Sequence, residues 1–105
     1  MNSKTHYISQ LIRKHVNSVD PETEVILYGS RARGDARSDS DWDILLLTSN
    51  SVNIELERKY RDKLYDLELD TGESISLFIY SKDDWQTRQR ITPFYQSVTQ
   101  EGMRI

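Results

Sequence analysis

The sequence has 105 residues, of which 36% are hydrophobic and 30% charged, a composition typical of one folded domain and not of a disordered chain. Its formal net charge of −3 argues against broad, nonspecific binding to nucleic acid. The lack of cysteine excludes disulfides and thiolate metal sites, and without an apolar leader or a bilayer-length apolar run we expect a soluble, cytoplasmic protein with no membrane partner.

The first part of the chain predicts a helix, two strands and a short helical turn between them. Residues 3–19 carry apolar side chains at the i, i+3, i+4, i+7 spacing of an amphipathic helix. Strand-favouring residues at 25–28 end at Gly29, and residues 30–37 favour a tight turn of helix. The apolar run at 41–48 predicts a second strand, covered on both faces.

The second part of the chain continues the alternation of helices and strands. The predicted elements are a helix at 53–70, a strand at 73–81, a short helix capped by Ser81 and a last helix from Thr92 to Gly102. This order predicts a small α/β fold, with helices packed on a mixed sheet of three or four strands. We expect a single domain over residues 1–105.

The segment between the first two strands carries residues that indicate chemistry. Gly29 directly follows a strand, which lets the backbone approach a ligand closely, and Ser30 adds a hydroxyl donor. A Gly-Ser pair alone is weak evidence, because any tight turn can use it. Three arginines form a positive island in an acidic protein, although a single arginine is more often a plain surface charge: Arg31, Arg33 and Arg37.

Four aspartates also crowd into nine residues of this segment. Strand alternation puts Asp41 and Asp43 on one face and Trp42 on the other, in the core. Two like charges so placed repel each other unless something neutralises them, and Mg²⁺ is the natural candidate. Asp35 and Asp39 are better interpreted as residues that form turn and cap hydrogen bonds.

Taken together, these residues resemble a known signature. Gly29-Ser30, ten intervening residues and Asp41-Trp42-Asp43 look like the signature of the DNA polymerase β-type nucleotidyltransferases. The surrounding Gly-Ser-Arg-Ala-Arg-Gly and Ser-Asp-Trp-Asp segments resemble its short members, the minimal nucleotidyltransferases. The length and the element order agree, so the resemblance spans nearly the whole chain and implies the nucleotidyltransferase fold.

The resemblance implies a metal-dependent transfer of a nucleoside monophosphate, with ATP as donor, to an acceptor hydroxyl. Asp41 and Asp43 match the catalytic carboxylates that hold two Mg²⁺ ions. The residues that match the nucleotide-binding positions, or that lie where they can offset phosphate charge, are Gly29, Ser30, Arg33 and Arg31.

One position departs from the family's pattern. A third acidic residue commonly lies on a later strand and faces the first two. Here the aligned position is Ser76, and neither Glu73 nor Asp70 has the expected place on the strand. The third carboxylate often helps to activate the acceptor, so its absence bears on turnover more than on nucleotide binding.

The minimal nucleotidyltransferases resemble antitoxins that neutralise a helical HEPN-type toxin, in some members by adding AMP to a toxin tyrosine. We therefore expect an adenylyltransferase with a HEPN-type partner. The alternative is a nucleotide-binding module that neutralises its partner by contact alone, with the aromatic segment 91–96 either docking the partner or packing on the sheet. Transfer to a small molecule or to RNA is less favoured, because the chain has no room for an acceptor-binding domain.

Overall fold

The computed structural model describes residues 2–105, and every predicted helix and strand is present. In chain order the elements are α1 (Ser3–Val19), β1 (Glu24–Tyr28), α2 (Ser30–Arg33), β2 (Trp42–Thr48), α3 (Ile54–Thr71), β3 (Ile75–Ser81), α4 (Lys82–Gln86), a 3-10 turn (Gln89–Ile91), α5 (Pro93–Glu101) and β4 (Met103–Arg104). The 3-10 turn and β4 were not predicted. Across residues 2–105, no helix has the length and apolar character needed to cross a bilayer.

The four strands form one mixed sheet in the order β3-β2-β1-β4. β2 and β3 run parallel and are joined by α3, whereas β1 is antiparallel to both of its neighbours. The fold is therefore a small α/β domain, with helices packed on a mixed sheet of four strands, as predicted. β1 and β2 are the central strands, and the segment that joins them carries the candidate site.

Glycines set the limits of the two elements that frame this segment. Gly34 takes a φ of 86°, a conformation that few other residues adopt, and α2 ends there after four residues. The predicted turn over 30–37 is therefore shorter in the structure, and residues 34–41 form a loop. Gly72, with a φ of 73°, ends α3 in the same way, as its position in the sequence predicts.

The sheet has a different core on each face. On one face, α1 and α3 cover Trp42, Ile44 and Leu46, all fully buried, so the predicted core position of Trp42 is confirmed. On the other face, Leu45 and Leu47 pack with α4 and α5. Four aromatic side chains surround Phe94 there: Tyr28, Phe78, Tyr80 and Trp85. The aromatics of the segment 91–96 therefore pack on the sheet.

Candidate active site

The turn that leaves β1 is shaped by Gly29. Its φ of 74° and ψ of −158° let the chain turn so that α2 begins at Ser30, and its carbonyl accepts hydrogen bonds from the amides of Ala32 and Arg33. A Cβ atom at Gly29 would overlap Oδ2 of Asp43. Both the backbone conformation and the close approach of Asp43 therefore require glycine here.

Asp43 lies on β2, directly across from Tyr28 of β1, and its carboxylate rests against the Gly29 turn. Burial is the main reason that its pKa is raised, and repulsion by Asp41 adds to this, while Arg33 acts in the opposite direction. Asp41 precedes β2 and is exposed. The two predicted catalytic carboxylates are thus neighbours whose charges the protein leaves incompletely neutralised.

Arg33, the last residue of α2, directs its side chain towards the Gly29 turn through a shared contact with Glu101. Its Nη1 donates to both oxygens of Glu101, at 3.2 and 3.3 Å, and its Nε donates to Oδ2 of Asp35 at 3.2 Å. Glu101 also accepts a hydrogen bond from the amide of Gly29 at 3.3 Å. The structure therefore brings together Gly29, Ser30, Arg33 and Asp43, and adds a carboxylate that sequence reasoning missed.

The position of Glu101 follows from the pairing of β4 with β1. Met103 pairs with Leu27 in an antiparallel register. Glu101, the last residue of α5, precedes Met103 by two residues, and Gly29 follows Leu27 by two residues, so this pairing brings Glu101 towards Gly29. Gly102 makes the approach possible, because a Cβ there would lie 2.5 Å from the carbonyl of Val98. In the sequence, only the Glu101-Gly102 pair could have pointed to this placement of Glu101, and such a pair is also common at the end of a helix.

Arg31 lies outside this group. Its guanidinium is buried over the ring of Trp42, 4.3 Å from the centroid, and its Nη2 donates to the carbonyls of Ser38 and Ser40, at 3.3 and 2.9 Å. This placement argues against the predicted contact of Arg31 with phosphates. Its bonds hold the loop that leads into Asp41 instead.

Ser76, the position aligned with the family's third acid, lies beside Asp43 in the sheet. Ser76 on β3 pairs with Asp43 in the parallel register, and paired residues of neighbouring strands project to the same face. Asp70 is an exposed residue of α3. The sheet therefore presents a hydroxyl beside Asp43, where the family commonly presents a carboxylate.

Glu73 belongs to the opposite side of the sheet. Its carboxylate accepts from the indole N–H of Trp42 at 3.2 Å and pairs with Lys4 at 2.7 Å. Burial acts to raise the pKa of Glu73, but the hydrogen bonds from Lys4 and Trp42 outweigh it and hold that pKa below its usual range. Glu73 is thus committed to the Trp42 side chain and does not replace the third acid.

The carboxylates suit a cation that is only partly held by protein. Within residues 2–105, no group of three or more acidic, histidine or cysteine side chains gathers as a metal cage. Asp41 and Asp43 offer hard oxygen donors two residues apart in the chain. Such a donor set fits Mg²⁺, which keeps several waters and is bound through one or two carboxylates together with substrate phosphates.

Comparison of the sequence with known families shows a match to a nucleotidyltransferase family. The family model described as "Polymerase beta, Nucleotidyltransferase" matches residues 9–98, which contain every predicted site residue. No curated protein matches the sequence significantly.

Comparison with solved structures gives matches to toxin–antitoxin crystal structures. One, of a toxin–antitoxin with AMP-PNP, has a TM-score of 0.66 at 18% identity over 90% of this chain and 69% of that chain. A second, of the toxin–antitoxin MntA–HpeT with two aspartate-to-glutamate substitutions, has a TM-score of 0.61 at 18% identity over 99% of this chain and 72% of that chain. These similarities are similarities of fold.

Proposed function

This chain belongs to the polymerase β nucleotidyltransferase family, and on that premise we propose that it transfers AMP from ATP to a hydroxyl group of a partner protein. The observation that carries this proposal is the contact between the Gly29 turn and the carboxylate of Asp43. It sets donors for phosphate oxygens directly beside the acids that suit Mg²⁺. The donor nucleotide would come from the cytoplasmic pool.

In this proposal, the residues after β1 bind the triphosphate. The amide of Gly29 and the hydroxyl of Ser30 donate hydrogen bonds to phosphate oxygens. The guanidinium of Arg33 offsets the negative charge of the phosphates. It is half-exposed, and because Arg33 and the Gly29 amide both contact Glu101, the two donors lie close together. Arg31 has a positioning role, since it fixes the loop that leads into Asp41.

Asp41 and Asp43 would hold Mg²⁺, as the two ions that the family resemblance implies. When bound, Mg²⁺ would neutralise the phosphates and favour ionisation of the acceptor hydroxyl. The acceptor oxygen forms a bond to the α-phosphorus of ATP. The bond between that phosphorus and the oxygen that bridges the α- and β-phosphates breaks, and pyrophosphate leaves. The hydroxyl proton goes to solvent, because Ser76 offers no carboxylate beside Asp43. We therefore expect slow turnover.

We propose that the acceptor is a tyrosine of a HEPN-type helical toxin, so that this chain acts as the antitoxin. The support is the fold shared with chains of toxin–antitoxin structures, one of which contains AMP-PNP. Nucleic acid is a less suitable acceptor for a chain with a net charge of −3.

The test is transfer of label from α-³²P-ATP, with Mg²⁺, to the helical protein encoded beside this chain. We expect label on that protein, and a loss of at least about 100-fold with Asp41→Asn or Asp43→Asn, because electrostatic stabilisation carries most of this catalysis. Asp43→Asn should stay folded, since burial disfavours the charge that it removes. Asp39→Asn is the matched control, because it removes an exposed carboxylate of the same loop. Absence of label with the folded protein would contradict the proposal.

The second candidate is neutralisation of the partner by contact alone, and Ser76 at the third-acid position is the observation that favours it. Rescue of growth in cells that express the toxin separates the two candidates. Transfer predicts that the double variant Asp41→Asn/Asp43→Asn fails to rescue growth although it still binds the toxin. Full rescue by the double variant would instead assign neutralisation to the contact.

A further inference from the structure

We propose that Glu101 is an intramolecular competitor of the nucleotide for its phosphate-binding groups. Its carboxylate accepts from the amide of Gly29 at 3.3 Å and from Nη1 of Arg33 at 3.2 and 3.3 Å. These are the two donors assigned to phosphate oxygens above, so the inference rests on the proposed function. Before the phosphates bind, the carboxylate has to release both donors.

The Gly29 amide and the Arg33 guanidinium form an anion-binding site, and the carboxylate of Glu101 occupies it. A carboxylate and a phosphate use the same donors, a backbone N–H and a guanidinium fork. Each is negatively charged, so the two repel each other when they share one pair of donors. Glu101 therefore raises the nucleotide concentration needed to fill the site without closing the site to solvent.

The contact is built so that it can open. Its hydrogen bonds are at the long end of the usual range, and the side chains of Arg33 and Glu101 are 47% and 28% exposed. Exposed ion pairs of this kind contribute little to stability. The segment that follows Glu101 is held on the sheet by the two-residue strand β4. A phosphate that brings more charge can therefore replace the carboxylate while the fold persists.

Glu101 is poorly placed to serve as the third metal ligand in this arrangement. The carboxylate of Asp43 occupies the place where a side chain at Gly29 would project. The carboxylate of Glu101 instead accepts a hydrogen bond from the amide of Gly29 and faces the guanidinium of Arg33. Mg²⁺ between the two carboxylates would have to take Glu101 from Arg33. The geometry thus favours competition for phosphate over coordination of the metal.

Isothermal titration with inorganic tripolyphosphate, and with AMP-PNP, tests the inference in the absence and in the presence of Mg²⁺. We expect Glu101→Gln and Glu101→Ala to bind both probes about three- to tenfold more tightly than the wild type, because they remove a partly exposed charged competitor. Glu55→Gln is the control, since it removes the same charge from an exposed position on α3 and should leave the Kd unchanged. Circular dichroism establishes that each variant is folded.

Three results would overturn the inference, and they differ in what they leave standing. Unchanged affinity in both Glu101 variants rejects the competition and leaves the proposed function intact. Weaker binding that appears only with Mg²⁺ assigns Glu101 to the metal and likewise rejects the competition. If neither the wild type nor the variants bind either probe, the phosphate site itself is rejected and the proposed function fails with it.

The NMR resonance of the Gly29 amide gives a second readout, and it would not respond in this way if Glu101 had only a structural role. In the wild type, tripolyphosphate should replace Glu101 as the acceptor, so the Gly29 amide and the carboxyl carbon of Glu101 shift together during the titration. In Glu101→Ala the Gly29 amide should start from a different position and shift at lower probe concentration. A Glu101 carboxyl resonance that stays fixed while Gly29 shifts contradicts the competition.

Discussion

The two faces of the sheet treat polar groups differently. On the face covered by α1 and α3, the indole N–H of Trp42 is bonded to Glu73, Glu73 is paired with Lys4, and the guanidinium of Arg31 lies over the Trp42 ring. On the other face, Asp43 is partly buried beside a second carboxylate. The charged groups of the first face have partners within the fold, and among the charged side chains of residues 2–105 only that of Arg31 has a buried nitrogen, Nε, without a hydrogen bond. The second face leaves charge available to a ligand.

This difference indicates which residues serve stability and which serve binding. Trp42 and Asp43 are adjacent in the sequence and point to opposite faces of β2, so one strand supports both functions. Trp42 contributes to fold stability through its packing in the core of the first face. Function depends on groups of the second face that the fold does not neutralise, as is common where binding and catalysis are located.

The largest expected effect is the loss of a buried aromatic from the first face. Trp42→Ala should cost about 3–5 kcal/mol of the free energy of unfolding, because it leaves a cavity and removes the partner of Arg31 and Glu73. The matched variant on the second face is Phe78→Ala, whose side chain is 46% exposed, and its cost should be below about 1.5 kcal/mol. Urea denaturation measures both, and equal losses would remove the contrast between the faces.

A smaller loss is expected where the second face approaches the backbone. Gly29→Ala should cost about 2–3 kcal/mol, because it combines a left-handed φ with overlap of the Asp43 carboxylate. Gly34→Ala is the control, since its φ is also positive but an added Cβ meets nothing within 4 Å, and it should cost about 1 kcal/mol. Thermal denaturation of the two variants isolates the Asp43 contact. If their losses are the same, that contact does not restrict the turn.

The smallest effect concerns alkaline pH. Burial, then Asp43 and Tyr80, raise the pKa of Tyr28 from 10.0 to about 12. Tyr28 ionises more readily in the unfolded chain, so its contribution is complete below pH 10 and is lost as the pH rises towards 12, on the order of 1 kcal/mol. Absorbance at 295 nm should show a late-titrating tyrosine that is absent in Tyr28→Phe. Asp43→Asn should lower that pKa, and an unchanged titration would contradict the proximity of the two groups.

The elements that carry their own local pattern could be predicted from the sequence. The 3.6-residue periodicity marked α1 and α3, Gly72 marked the end of α3, and strand parity placed Trp42 in the core. In each case the physical cause lies within a few neighbouring residues. The Gly29–Asp43 grouping was predictable for a related reason, because a strand, a turn and the next strand bring its members together.

The remaining features depend on contacts between distant segments. The strand β4 has two residues and exists only through its pairing with β1, so Glu101 could not be assigned to the site. Arg31 and Arg33 look equivalent in the sequence, but stacking on Trp42 and the carbonyls of the loop bury one of them. Such contacts follow from the tertiary structure and have no local periodicity that would reveal them.

The pairing of β4 with β1 also has a consequence for local unfolding. The hydrogen bond between Gly29 and Glu101 closes a loop of 72 residues, whereas Gly29 and Asp43 are joined by one short connection. A strand of two residues opens at a small fraction of the free energy that unfolds a whole domain. A brief opening of β4 would therefore free the segment that follows Glu101, while the Gly29 turn and Asp43 remain assembled on β1 and β2.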